Sequence, residues 1–254
     1  MHKEIRLFFT ALMFYSQIPV PASTGFSEDN LNKSTRYFPL VGIIVGMAGG
    51  LVFTAFHAFL PLHVSVLSAL IIMILLTGAF HEDAFADFCD GFGGGYSPNQ
   101  ILNIMKDSRI GVYGALGLAA AIPAKLLLLI SIEPGHIPLV MIAAHSFSRV
   151  SPVILIYTSQ YVQADTHSKA KPIGKRSSIS TLWTAVIIGV IPLAVLPWMC
   201  IVFIFAVSAL TFTMFRKYVH KRLGGYTGDV LGALQQLSEM GFYLAFVLCR
   251  GAAV

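Results

Sequence analysis

The sequence predicts an all-α fold: a polytopic integral membrane bundle of about seven or eight helices, read as one domain over 1–254. Three observations carry this. Of 254 residues, 56% are hydrophobic and 11% charged, whereas a soluble domain carries about a quarter charged residues. Apolar runs, most of them near the ~20 residues needed to cross hydrocarbon, divide the chain from end to end. Lys and Arg gather in alternate connections between those runs. This composition excludes an ordinary soluble globule and a disordered chain. The net charge of +5 then reads as membrane topology, and no nucleic-acid partner is expected.

The runs cover 5–20, 37–60, 62–80, 111–132, 137–158, 181–198, 199–218 and 236–250. Backbone groups in hydrocarbon must be satisfied within their own segment, so each run reads as a helix. The first lacks a small-x-small cleavage site and is read as retained. It is short, as is the last, and Lys3 and Arg6 suit a tilted, interfacial or half-spanning helix. The second carries Gly42, Gly46, Gly49 and Gly50, a spacing that allows close helix contact. Pro123, Pro152, Pro192 and Pro197 predict kinks. Cys89, Cys200 and Cys249 form no CxxC pair, so neither a disulfide framework nor a zinc site is expected.

The basic connections contain Lys33 and Arg36, then Lys106 and Arg109, then Lys169, Lys171, Lys175 and Arg176, then Arg216, Lys217, Lys221 and Arg222. The alternate connections near Pro61, Glu133–Pro138 and Pro197–Trp198 have no Lys or Arg. This asymmetry puts the four polar connections on the cytoplasmic face of the cell's inner membrane. Most acidic residues share that face.

Residues 81–95 read HEDAFADFCDGFGGG directly after an apolar run. On a helix continuing that run, at about 100° per residue, Asp83, Asp87 and Asp90 form one carboxylate stripe, with Glu82 a quarter turn aside. Gly91 and Gly93–Gly95 are expected to stop the helix. Each ionised carboxylate at a bilayer centre costs about 2.5–3.5 kcal/mol, so these acids belong at an interface, in a wet cavity or around a cation. A hard divalent ion relieves their repulsion, and Mg²⁺ prefers oxygen ligands shared with substrate phosphates. The following IMKDSRIGVYG adds Asp107 between Lys106 and Arg109. A carboxylate that completes a metal cage or takes a proton, beside two cations, suits metal-assisted phosphoryl transfer.

His81 suits substrate binding or capping equally, and Cys89 reads as packing. A second polar island, KRLGGYTGDVLGALQQLSE, presents Thr227 and Asp229 at a helix start, where Asp229 also suits an N-terminal cap. Glu239 falls inside the last apolar helix. A third island, KAKPIGKR, reads as a phosphate clamp or as plain positive-inside charge. Arg149 lies in an apolar helix one turn after His145 and needs a partner, which suggests a cavity.

GAFHEDAFADFCDGFGGG, IMKDSRIGVYGALGL and GGYTGDVLGALQQLSE closely resemble cobalamin synthase, the adenosylcobinamide-GDP ribazoletransferase family. TRYFPLVGIIVG and IGKR have counterparts there, so the resemblance runs through the whole chain in order. It implies transfer of the phosphocobinamide moiety of adenosylcobinamide-GDP to α-ribazole or its 5′-phosphate, with release of GMP and dependence on Mg²⁺. Carried over position by position, the metal acids are Asp83, Asp87 and Asp90, with Asp107 in the following KDSR. Asp107 and Asp90 are the catalytic candidates, Asp107 to complete the metal site or to accept the hydroxyl proton. Glu82 is a further metal candidate at a place that the family motif leaves open, and Ala84 stands where that motif usually has glycine. Substrate binding is expected of Lys106, Arg109, Arg149, Lys175, Arg176, Lys221, Arg222, Thr227 and Asp229. Lipid surrounds the protein, and a homo-oligomer is one open outcome.

The acids are also loosely similar to those of CDP-alcohol phosphotransferases, although the Ala-Arg after that family's glycine is missing. A lipid synthase of that kind, or a prenyltransferase using Mg²⁺-diphosphate, is the enzyme alternative. A cation or corrinoid transporter is the non-enzyme one.

Overall fold

The computed structural model describes residues 3–25, 27–162 and 178–251, and these are overwhelmingly helical. Their order is α1 (Lys3–Tyr15), α2 (Glu28–Ser34), α3 (Phe38–His57), α4 (Leu62–Thr77), α5 (Phe80–Gly94), α6 (Pro98–Met105), α7 (Val112–Ile130), α8 (Ile137–Phe147), α9 (Val150–Thr158), α10 (Ile179–Val190), α11 (Trp198–Leu223) and α12 (Gly228–Gly251). Short 3₁₀ turns join several of them. The only β pairing among the described residues is one bridge between Tyr161 and Tyr226.

Four stretches are long and apolar enough to cross a bilayer: Glu28–His57, Val112–Ile130, Pro134–Thr158 and Trp198–Leu223. The α4–α5 pair makes a fifth if taken together, bent by 86°. The apolar runs of the sequence thus resolve into fewer full crossings. Helix α1 has 13 residues, about 20 Å at 1.5 Å per residue, short of a core about 30 Å thick. Helix α10 has 12 residues and passes into the 3₁₀ turn Ile191–Val195, which contains Pro192. Pro123 lies inside α7. Helices α8 and α9 separate at Ser148 and Arg149, where the ring of Pro152 removes a helical N–H.

The acidic segment does not continue α4. Gly78 and Ala79 both take left-handed φ values, 64° and 56°, and α5 starts afresh after them. The Gln17 N–H donates to the Leu76 carbonyl at 2.7 Å and pins this break. A Cβ at Gly78 would overlap the Gln17 side chain. The expected stop falls within the glycine run: α5 ends at Gly94, and the Gly95 N–H closes on the Gly91 carbonyl at 2.9 Å.

The cysteine expectation is overturned as well. Cys200 and Cys249 form a disulfide that ties the start of α11 to the end of α12. The partners are 49 residues apart and meet because the α11–α12 hairpin brings its two outer ends together.

The glycine face of α3 behaves as its spacing predicts. A Cβ at Gly42 would overlap the His145 backbone, one at Gly46 would come 2.7 Å from Ile142 Cα, and one at Gly50 would lie 3.2 Å from Pro138. Gly49 faces Met73 of α4. Two apolar clusters result. One gathers α1, α3, α4 and α8, and the other gathers α5, α6 and the α11–α12 turn. Helix α12 joins them, with Val230 and Leu234 in one and Phe242 and Phe246 in the other.

Candidate active site

Helices α5 and α12 run antiparallel in close contact. A Cβ at Gly232 would overlap Ala84, and Gln236 Nε2 donates to Glu82 Oε1 at 3.1 Å. This register sets the first turn of α12 opposite the middle of α5. Asp87 therefore lies within electrostatic reach of Asp229, Asp83 and Asp90. Burial pushes the Asp229 carboxyl up to about 6, and Asp83 adds to the rise. The Asp229 backbone N–H and the Thr227 hydroxyl act the other way. Thr227 itself caps α12, its Oγ1 accepting from the Val230 N–H at 3.3 Å. Asp229 is thereby released from the capping role and faces the acids.

Among the described residues, no group of three or more His, Cys, Asp or Glu side chains is gathered closely enough to hold a metal ion. Magnesium commonly binds through one or two carboxylates, with water and substrate phosphate completing its shell. Asp83 and Asp87, one turn apart with only oxygen donors, fit such a partial set.

Asp90 is committed elsewhere. It is buried, and its carboxylate accepts the N–H groups of Gly111 and Gly114 at 2.7 and 2.8 Å. Those are unsatisfied donors of the first turn of α7, where negative charge is favoured. The single stripe read from the sequence thus divides: Asp83 and Asp87 face α12, and Asp90 anchors α7.

Asp107 lies in the exposed loop between α6 and α7. Arg109 Nη2 sits 2.8 Å from its Oδ2. Hydrogen bonds from the Arg109 side chain and backbone, with that cation's charge, hold the Asp107 carboxyl below the usual carboxylate range. Asp107 is thus joined to Arg109, and Lys106 sits at the end of α6 beside them. Arg222 closes the end of α5: its Nη2 donates to the Gly95 and Phe92 carbonyls at 2.6 and 3.3 Å, and its guanidinium lies 5.9 Å from the Phe92 ring. Lys221 is exposed on the last turn of α11. Lys175 and Arg176 lie outside the described residues.

Arg149 and Glu239 find their partners indoors. Arg149 is fully buried, donates to the His145 carbonyl at 2.6 Å and lies 5.3 Å from the Phe38 ring. Glu239 accepts from Gln235 at 2.9 Å and lies 3.4 Å from His145 Nε2. Lys125 of α7 completes the group, 2.9 Å from Glu239. Sequence reading missed Lys125; a lone lysine inside AAAIPAKLLLLI was the signal. Lys125, His145, Arg149 and Glu239, with His81, Glu82 and Gln236, line a cavity. A second cavity adjoins it through His81 and reaches the start of α12.

A family model described as cobalamin-5-phosphate synthase matches residues 7–247. An adenosylcobinamide-GDP ribazoletransferase of Shewanella frigidimarina is 40% identical over 248 residues, covering 96% of this chain and 95% of that protein. The protein of the same name from Shewanella oneidensis is 41% identical over 253 residues, covering 98% and 97%. That of Shewanella baltica is 40% identical over 254 residues, covering 97% and 95%. No solved structure matches.

Proposed function

From its membership in the cobalamin-5-phosphate synthase family, to which this chain belongs, we propose that it is an adenosylcobinamide-GDP ribazoletransferase acting at the α5–α12 acidic face. The match along nearly the whole chain carries this reading. The reaction moves the phosphocobinamide group to α-ribazole or its 5′-phosphate. A ribose hydroxyl of the acceptor attacks the phosphorus next to the cobinamide arm. The new O–P bond forms as the bond to the bridging oxygen breaks, and GMP leaves with that oxygen.

Asp83 and Asp87 would hold Mg²⁺ against the diphosphate, and the ion would neutralise charge developing on the phosphate oxygens. Asp229 takes the hydroxyl proton: its carboxyl faces Asp83 and Asp87 from the first turn of α12, within reach of an acceptor held there. Asp90 is assigned to fixing the start of α7 beside the acids. Asp107 and Arg109 stand at the rim, where Arg109 and Lys106 meet incoming phosphates, and Lys221 supplies further positive charge. Lys33, Arg36, Lys106, Arg109, Arg216 and Lys217 mark the connections at this end of the bundle, which supports a cytoplasmic site in the inner membrane.

Detergent-purified protein incubated with adenosylcobinamide-GDP, α-ribazole and Mg²⁺ should yield the corrinoid product and equimolar GMP. Release of CMP from a CDP-alcohol, with no corrinoid product, would overturn the reading.

A further inference from the structure

The second cavity is walled by aromatic rings. Tyr15 and Phe38 stack with centroids 4.1 Å apart and planes at 24°, and Phe80 stands edge-on to His81. Gly228, Leu231 and Gly232 of α12, with Pro152, Val153 and Ile156 of α9, complete the lining. One polar ring enters this space. His81 is 2% exposed, and both of its ring nitrogens lack a hydrogen-bond partner among the described residues. Burying a polar group without a partner is costly, so such a ring is paired when its proper ligand is present. The cavity lies beside the chemistry: Gly228 precedes Asp229, and His81 lies two residues before Asp83.

We propose that this aromatic cavity holds the benzimidazole of the ribazole acceptor and that His81 reads its ring nitrogen, making His81 a specificity-determining residue. This rests on the ribazoletransferase reading. A flat bicycle suits walls of stacked rings, which favour offset or edge-to-face partners. The benzimidazole nitrogen not bonded to ribose carries an in-plane lone pair. An N–H of the His81 imidazole donates to it and satisfies one of the two stranded ring positions. The ribose attached to that base then lies toward Asp229, the proton acceptor assigned above.

The test compares two acceptors with unmodified, detergent-purified protein: α-ribazole and its dimethylindole analogue, in which the ring nitrogen is C–H. The analogue should raise the acceptor KM about tenfold or more, the value of one lost hydrogen bond, with the KM for adenosylcobinamide-GDP unchanged. His81→Phe should erase that preference, and His81→Gln, which keeps a donor, should retain part of it. Equal KM values for the two acceptors in the unmodified protein would overturn the proposal, whether or not the variants fold. A preference that survives in His81→Phe would also overturn it. Product from neither acceptor, with protein that is folded, would overturn the transferase reading itself.

Discussion

Lys125 Nζ lies 2.9 Å from Glu239 Oε1 in the interior of the bundle, with the two side chains 7% and 1% exposed. Removing one partner of such a pair leaves the other charge buried, which costs about 3–5 kcal/mol. Lys125→Met should therefore lower the thermal midpoint in detergent sharply. The double variant Lys125→Met with Glu239→Gln should recover part of the loss. A double variant no more stable than Lys125→Met would mean that the ion pair does not govern stability here.

Asp90 and its neighbours on α5 should separate in a magnesium titration. Asp90→Ala strands the N–H groups of Gly111 and Gly114 and should cost about 1–3 kcal/mol. Asp90→Asn keeps one acceptor and should fall between. In both, the Mg²⁺ concentration for half-maximal activity should stay near the parent value. A large rise in that concentration would make Asp90 a ligand instead of an anchor for α7.

Asp83→Asn and Asp87→Asn should each lower turnover by about a hundredfold or more, the scale of removing one electrostatic contact from a reacting centre. Both should raise the Mg²⁺ requirement and leave membrane insertion intact, which fractionation would verify. Near-parental turnover in either variant would remove that residue from the site.

Asp229 gives a pH dependence with a definite sign. Its carboxyl titrates near 6 in the folded protein, against about 3.9 in an unfolded chain. Between those values the folded state binds more protons. Its contribution to stability is therefore full below about pH 4 and is lost as pH rises through about 6. Asp229→Asn in metal-free protein should flatten that decline across the window. Thermal midpoints measured from pH 4 to 7.5 test this, and an unchanged slope would count against the environment described for Asp229.

How far the sequence carried the site depended on whether a feature was local. The α3 glycine face was legible because its spacing alone sets which residues meet a neighbour. The relative phase of Asp83, Asp87 and Asp90 was legible for the same reason, since all three lie within α5. Their division between two tasks was not, because it depends on where α7 begins beside them. Asp229 read as an adequate cap because no local signal says that Thr227 takes that role. Lys125 and the Cys200–Cys249 bond escaped because each is defined by a partner far along the chain.

The break at Gly78 and Ala79 has a mechanical consequence. A rigid rod running from α4 into α5 would pass every tilt or roll of α4 straight to the carboxylates. Bilayers differ in thickness, and helices answer by tilting. With the two segments set at 86° and α5 packed against α7 and α12, the carboxylates take their position from those neighbours and not from the axis of α4.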